Sequence, residues 1–258
     1  MSAALYAEWT KLRTLPGTGW LLLGVLAATV IISAAVSASV SCSSPASCHA
    51  DVTKLSLTGT YLGQAVVAIV AVLAVGGEYA TGMIRTTLAA TPRRTTLLAA
   101  KAGVVTAVTL VAGTLAVLGS LLAGRLILPG HGYTPANGYP VLSLANGTVL
   151  RAGAGTVLYL ALIALLSLGI AAVVRDAAVA IGAVLGLLYL FPIIAVVTDP
   201  HWRRHLEQIG PMSAGLAIQA TTGLRSLPVS PWAGLGVLAA WAAAALLAGG
   251  LLPRLRDA

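Results

Sequence analysis

Charge is what this sequence has least of. Only 9% of its 258 residues are charged while 58% are hydrophobic, against roughly 25% charged in a soluble domain. Such a chain needs lipid as its solvent, which excludes a soluble enzyme. Acid is scarcest, with 7 Asp and Glu against 15 Lys and Arg. They form no paired-carboxylate site and no HExxH run, and no Ser/His set shares a depth, which excludes the familiar hydrolytic constellations. A Gly-x4-Gly-Lys-Ser/Thr phosphate loop is also missing, so the chain has no such ATP site of its own. Cysteine is limited to 2 residues. Neither they with His49, nor His201 and His205 with two arginines between them, complete a metal-ligand set.

What is present is a series of uncharged runs of the length that crosses a bilayer, about 20 residues each. Six occur, at 20–40, 57–76, 102–124, 154–174, 177–198 and 232–252. They predict an all-α polytopic membrane protein, one transmembrane domain spanning the chain. Every charged side chain and every histidine falls outside these runs. Proton pumps and ion-coupled carriers keep a titratable group at membrane depth. Here the runs offer only hydroxyls, Gln64 and Trp indoles, which join helices by hydrogen bonds but carry no proton through a charged state. Energy for any transport is therefore expected from elsewhere.

The net charge of +8 is scattered in short flanks, not gathered into a basic helix or an aromatic-interleaved patch, so nucleic acid is not an expected partner. It reads as topology. Lys11, Arg13, Arg85, Arg93, Arg94, Lys101, Arg175, Arg254 and Arg256 lie on one side of a six-span arrangement, and the longer loops opposite hold the remaining six. The positive-inside rule places both termini in the cytoplasm. Val36-Ser37-Ala38 resembles a signal-peptidase site, but retention is expected, and later spans keep their orientation either way.

Ahead of the first span, Leu5, Trp9 and Leu12 recur at helical spacing, which predicts an amphipathic helix lying at the lipid interface. Cys42 and Cys48 fall in the first external loop, where two close thiols are expected to pair; two free thiols are the alternative. Asn146-Gly147-Thr148 fits the glycosylation pattern. Gly182 and Gly186 have the spacing of a helix-packing stripe, expected to serve packing within the chain. Pro192 predicts a kink in the fifth span. The segment 199–231 is expected to form short external helices dipping into the outer leaflet.

The largest cytoplasmic loop, between spans two and three, carries the functional signal. Tyr79, Met83, Ile84, Thr87 and Leu88 follow helical spacing, Pro92 stops the helix, and Thr95 or Thr96 can cap the next. This loop resembles that of the permease subunits of type-two ABC exporters, matching at Glu78, Gly82, Leu88, Pro92, Arg93, Arg94, Leu97 and Lys101. Met83 stands where the family usually has Thr. The opening Glu8-Trp9-Thr10-Lys11-Leu12-Arg13 and the six-span plan with external helices before the last span extend the resemblance over the chain.

The resemblance implies a bacterial inner-membrane protein whose short coupling helix docks on a separate ABC-type ATPase. On that resemblance Glu78, Gly82, Met83, Ile84, Arg85, Leu88, Pro92, Arg93 and Arg94 would form that interface. ATP and Mg would be bound by the partner, with no cofactor in this chain, and a second permease chain would complete the transporter. Lipid-like, peptide or hydrophobic drug-like molecules are the natural substrates for so apolar a path. A secondary transporter, a channel or a passive immunity protein is the alternative.

Overall fold

The computed structural model describes residues 6, 10, 16–42, 48, 50–80 and 94–256. Six helices are long and apolar enough to cross a membrane, and no strand occurs among the described residues. The chain is an all-helical multi-pass membrane protein. Helix α1 (Pro16–Ser39) crosses first. A short α2 (Val52–Ser56) then leads into α3 (Thr60–Ala80). The chain returns as α4 (Arg94–Ile127), crosses again as α5 (Gly147–Val174), and turns tightly into α6 (Ala177–Val197). Two short helices, α7 (Pro200–Ile209) and α8 (Pro211–Leu216), precede the last crossing, α9 (Pro231–Arg256). We call the end where α3 stops and α4 starts the near face, and the other the far face.

The α5–α6 hairpin shows how few residues such a turn needs. Arg175 ends α5 in the left-handed region, φ 62°, and its N–H donates to Ala171 O; Asp176 then caps α6 by accepting from Val179 N at 2.8 Å. Asn146 caps α5 in the same way, accepting from Thr148 N at 3.0 Å and Thr148 Oγ1 at 2.8 Å. The glycosylation-like triplet thus serves as a helix start.

Helix α5 is the central post, packing against α3, α4, α6, α8 and α9. Its span is 61% buried, whereas those of α1 and α6 are 22% buried and face outward along most of their length. Leu160, Ile163, Ala164, Leu168 and Ala171 of α5 lie within the main core. Helix α9 comes closest to α5. A Cβ on Gly169 would lie 2.6 Å from the carbonyl carbon of Ala245, and one on Gly249 would lie 3.0 Å from Gly169 O. Small residues allow this approach of two main chains.

Three expectations change in detail. The uncharged run 102–124 belongs to a helix of 34 residues, about 51 Å long and longer than the ~30 Å hydrocarbon layer. It includes Lys101 and Arg125, and α5 likewise begins before Arg151. An uncharged window measures the hydrocarbon, not the helix, because long basic side chains at its edge reach a polar partner. Lys101 is 4% exposed, with Nζ 3.1 Å from Ala74 O on α3. Second, Gly182 and Gly186 do not pack within the described chain: a Cβ at either meets nothing within 4 Å. Third, the stretch that was expected to dip into lipid instead enters the protein. Met212, Ala214, Leu216 and Ile218 are buried against α5 and α9. Helix α6 continues through Pro192.

A far-face cleft over a buried Gln64–Tyr159 pair as the candidate functional site

Helices α3, α5, α6 and α8 meet around one polar cluster. Gln64 of α3 and Tyr159 of α5 are both fully buried, and the Tyr159 hydroxyl donates to Gln64 Oε1. Gln64 Nε2 donates to Met212 Sδ of α8 at 3.1 Å, a soft acceptor. The Tyr189 hydroxyl of α6 donates to the carbonyl of Tyr61 on α3. Four elements are thereby joined at one level, which is how a buried amide is tolerated where water is excluded.

Above the cluster, towards the far face, lies a cavity of 310 Å³, within the range of small-ligand sites. Tyr61, Pro192, Val196, Met212 and Leu216 make its apolar wall, and Lys54, Arg203 and Glu207 its charged rim. Met212 and Tyr61 belong to both the wall and the cluster. Arg203 Nε meets Glu207 Oε1 at 2.9 Å one turn along α7; in so exposed a pair the stabilisation is about 0.3–0.5 kcal/mol. Lys54 is exposed at the mouth. The roof, Leu227-Pro228-Val229, is tied down by Gln208 Nε2 donating to Pro228 O at 2.9 Å. Trp241 Nε1 donates to Ile209 O at 2.9 Å and fixes α7 on α9.

Asp51 anchors the start of the loop that leads to this roof. Its carboxylate accepts from Lys54 N at 3.1 Å, capping α2, and also from Thr221 Oγ1 at 2.7 Å, Thr221 N and Thr222 N. Burial pushes this acid up, but the hydrogen bonds outweigh it, Thr221's first, and hold it below its ordinary 3.8. One carboxylate therefore joins the start of α2 to a loop 170 residues away.

Cys42 and Cys48 form a disulfide, with Cα atoms 5.7 Å apart, and Cys42 N donates to His131 O at 2.8 Å. This ties the exit of α1 to the exit of α4. Leu5, Trp9, Leu12, Gly82, Met83, Ile84, Arg85, Leu88, Pro92 and Arg93 lie outside the described residues, while Glu78 and Arg94 are described only as parts of α3 and α4. His201 and His205 stack edge to face, centroids 5.0 Å apart. Among the described residues no third His, Cys, Asp or Glu joins any pair.

Sequence reasoning did not assemble the cleft. Gln64 stood out as the one amide in the runs, but Met212 and Tyr159 carry no signal of their own. Comparison with protein-family models and with curated proteins finds no match.

Proposed function

We propose that this chain is the membrane-spanning permease subunit of an ATP-driven exporter of the type-two ABC class, working with a second permease chain and a separate ATPase that binds ATP and Mg. The observation that carries the reading is the lysine clamp at the base of the 81–93 loop. Lys101 Nζ, on α4, holds Ala74 O, on α3, at 3.1 Å, so the two helices that frame the loop are joined beside it. The loop itself carries the Gly82, Leu88, Pro92 and Arg93 pattern, followed by Arg94.

On this reading, closure of the ATPase displaces the loop, and α3 and α4 move together. Helix α3 carries Gln64 about 15 Å further along its axis, where it supports the wall of the far-face cleft through Met212. A push at the near face thus reaches the cleft through one rigid helix, and the cleft is where substrate leaves. The exposed Gly182, Ala183 and Gly186 of α6 offer the second permease chain a surface of close approach.

The test is purification of the tagged chain from its native membrane in mild detergent, with mass spectrometry of what accompanies it. A stoichiometric ABC-type ATPase is expected. Its repeated absence, with ATP hydrolysis in those membranes indifferent to Gly82→Leu, would remove the exporter reading and bring a channel or immunity role forward.

A further inference from the structure

A second feature of the far-face half has no part in the cleft. Between α4 and α5 lie two hollows of 410 and 260 Å³ that share Leu118, Leu121 and Leu144, and so form one continuous groove. Its lower wall is aliphatic, with Ala154, Val157 and Leu158 of α5 facing Leu118 and Leu121 of α4. Its one hydroxyl there, Thr114 Oγ1, already donates to Leu110 O at 2.6 Å. Polar groups appear only at the upper end, where Arg125 and Ser143 line the groove. Arg125 is exposed in the last turn of α4, and among the described residues it forms no ion pair. The Ser143 oxygen accepts from Ala145 N at 3.3 Å, which leaves its O–H free to donate.

The length of the groove matches one leaflet. Along α4, Thr114 and Arg125 are separated by about 16 Å at 1.5 Å per residue, and half of a bilayer's hydrocarbon layer is about 15 Å. A groove with an apolar floor and a cation at its mouth is complementary to a molecule with a long hydrocarbon tail and an anionic head. The C-terminal end of a helix is also where a cation such as Arg125 is favoured, and a guanidinium binds phosphate through two parallel hydrogen bonds.

We propose that this groove binds one phospholipid of the far-face leaflet, its acyl chain lying between α4 and α5 and its phosphate held by Arg125 and Ser143. The site stands apart from the exporter reading, because nothing in it requires an ATPase or movement of the helices.

The experiment uses the full chain in mild detergent, titrated with dioleoyl phosphatidylglycerol and followed by native mass spectrometry. Arg125→Glu tests the head group, Ala154→Phe fills the tail groove, and Arg204→Glu on α7 is the distant charge control. Both test positions are exposed, and thermal melting checks that the variants fold; Arg125→Gln and Ala154→Leu replace any that do not. Wild type and the control are expected to bind one lipid equally. The Arg125 variant should bind about tenfold more weakly or worse, the loss of a charge-assisted contact, and the Ala154 variant should not retain lipid. Oleate, which has the tail but no phosphate, should also bind about tenfold more weakly. Unchanged binding in either variant, equal binding of oleate, or disulfide cross-linking of Ala154→Cys to a second copy in membranes would overturn the proposal.

Discussion

Lys101 reaches across from α4 to the main chain of α3, its ammonium 3.1 Å from Ala74 O. The residue is almost wholly buried, and its hydrogen bond to a carbonyl helps offset the cost of keeping the ammonium from water. Lys101→Met removes the clamp while preserving much of the side chain's bulk. In a reconstituted complex we expect transport to fall about tenfold, the factor that corresponds to about 1.4 kcal/mol, with ATPase binding retained. Transport at the wild-type rate would show that the two helices do not need to move as one.

Gln64 and Tyr159 should behave as a unit. Gln64→Leu strands the Tyr159 hydroxyl in a buried site and should destabilise by about 1–3 kcal/mol. Adding Tyr159→Phe removes the stranded group and should recover part of the loss, giving a coupling energy of about 0.5–2 kcal/mol. A double-mutant cycle of denaturant unfolding in micelles measures it. Strictly additive losses would show that the pair contributes only packing.

Asp51 makes a pH prediction whose sign follows from its hydrogen bonds. Its folded pKa is below the ordinary 3.8. Its stabilising effect is therefore complete above the unfolded value and is lost as pH falls through the folded one. Hydrogen-exchange protection at Thr221 and Thr222, taken relative to the intrinsic amide rate at each pH, should fall below about pH 4 in the wild type. Asp51→Asn should show the lower protection already at neutral pH, by about 3- to 10-fold, since the carboxylate is partly exposed and its bonds are correspondingly weakened. A flat wild-type protection profile from pH 6 to 3 would refute the anchor.

The disulfide gives a reading of both stability and orientation. Cys42 and Cys48 close a loop with a sequence separation of 6, for which loop-closure entropy gives about 2 kcal/mol. Reduction should lower the melting temperature of the far-face half. In intact cells, a reductant followed by a membrane-impermeant maleimide should label these thiols from outside, as the positive-inside argument requires. Labelling only after the cells are broken open would invert the topology.

The crossings themselves were legible because hydrocarbon demands length and lack of charge, and the six runs satisfy both. Their ends were not. Lys101 and Arg125 halt an uncharged window, yet the helix passes through both: the Lys101 ammonium meets Ala74 O, and the Arg125 side chain is exposed in the last turn. Gly182 and Gly186 mislead for a related reason: spacing reveals a smooth helix face without saying whether it turns inward, and on α6 it turns out. The disulfide followed from two thiols in one short loop. The cleft escaped notice because it depends on Met212 folding back under Gln64, a contact between residues 148 apart in the chain that no local pattern records.

The contact of α5 with α9 at Gly169 and Gly249 has a mechanical meaning. Where two helices touch through their main chains, no side chain remains that can swing aside to absorb a shift. That pair therefore acts as an axle of fixed spacing. Any rocking of the molecule has to be taken up elsewhere, and the outward sides of α1 and α6, which meet no other helix along most of their length, are free of that constraint.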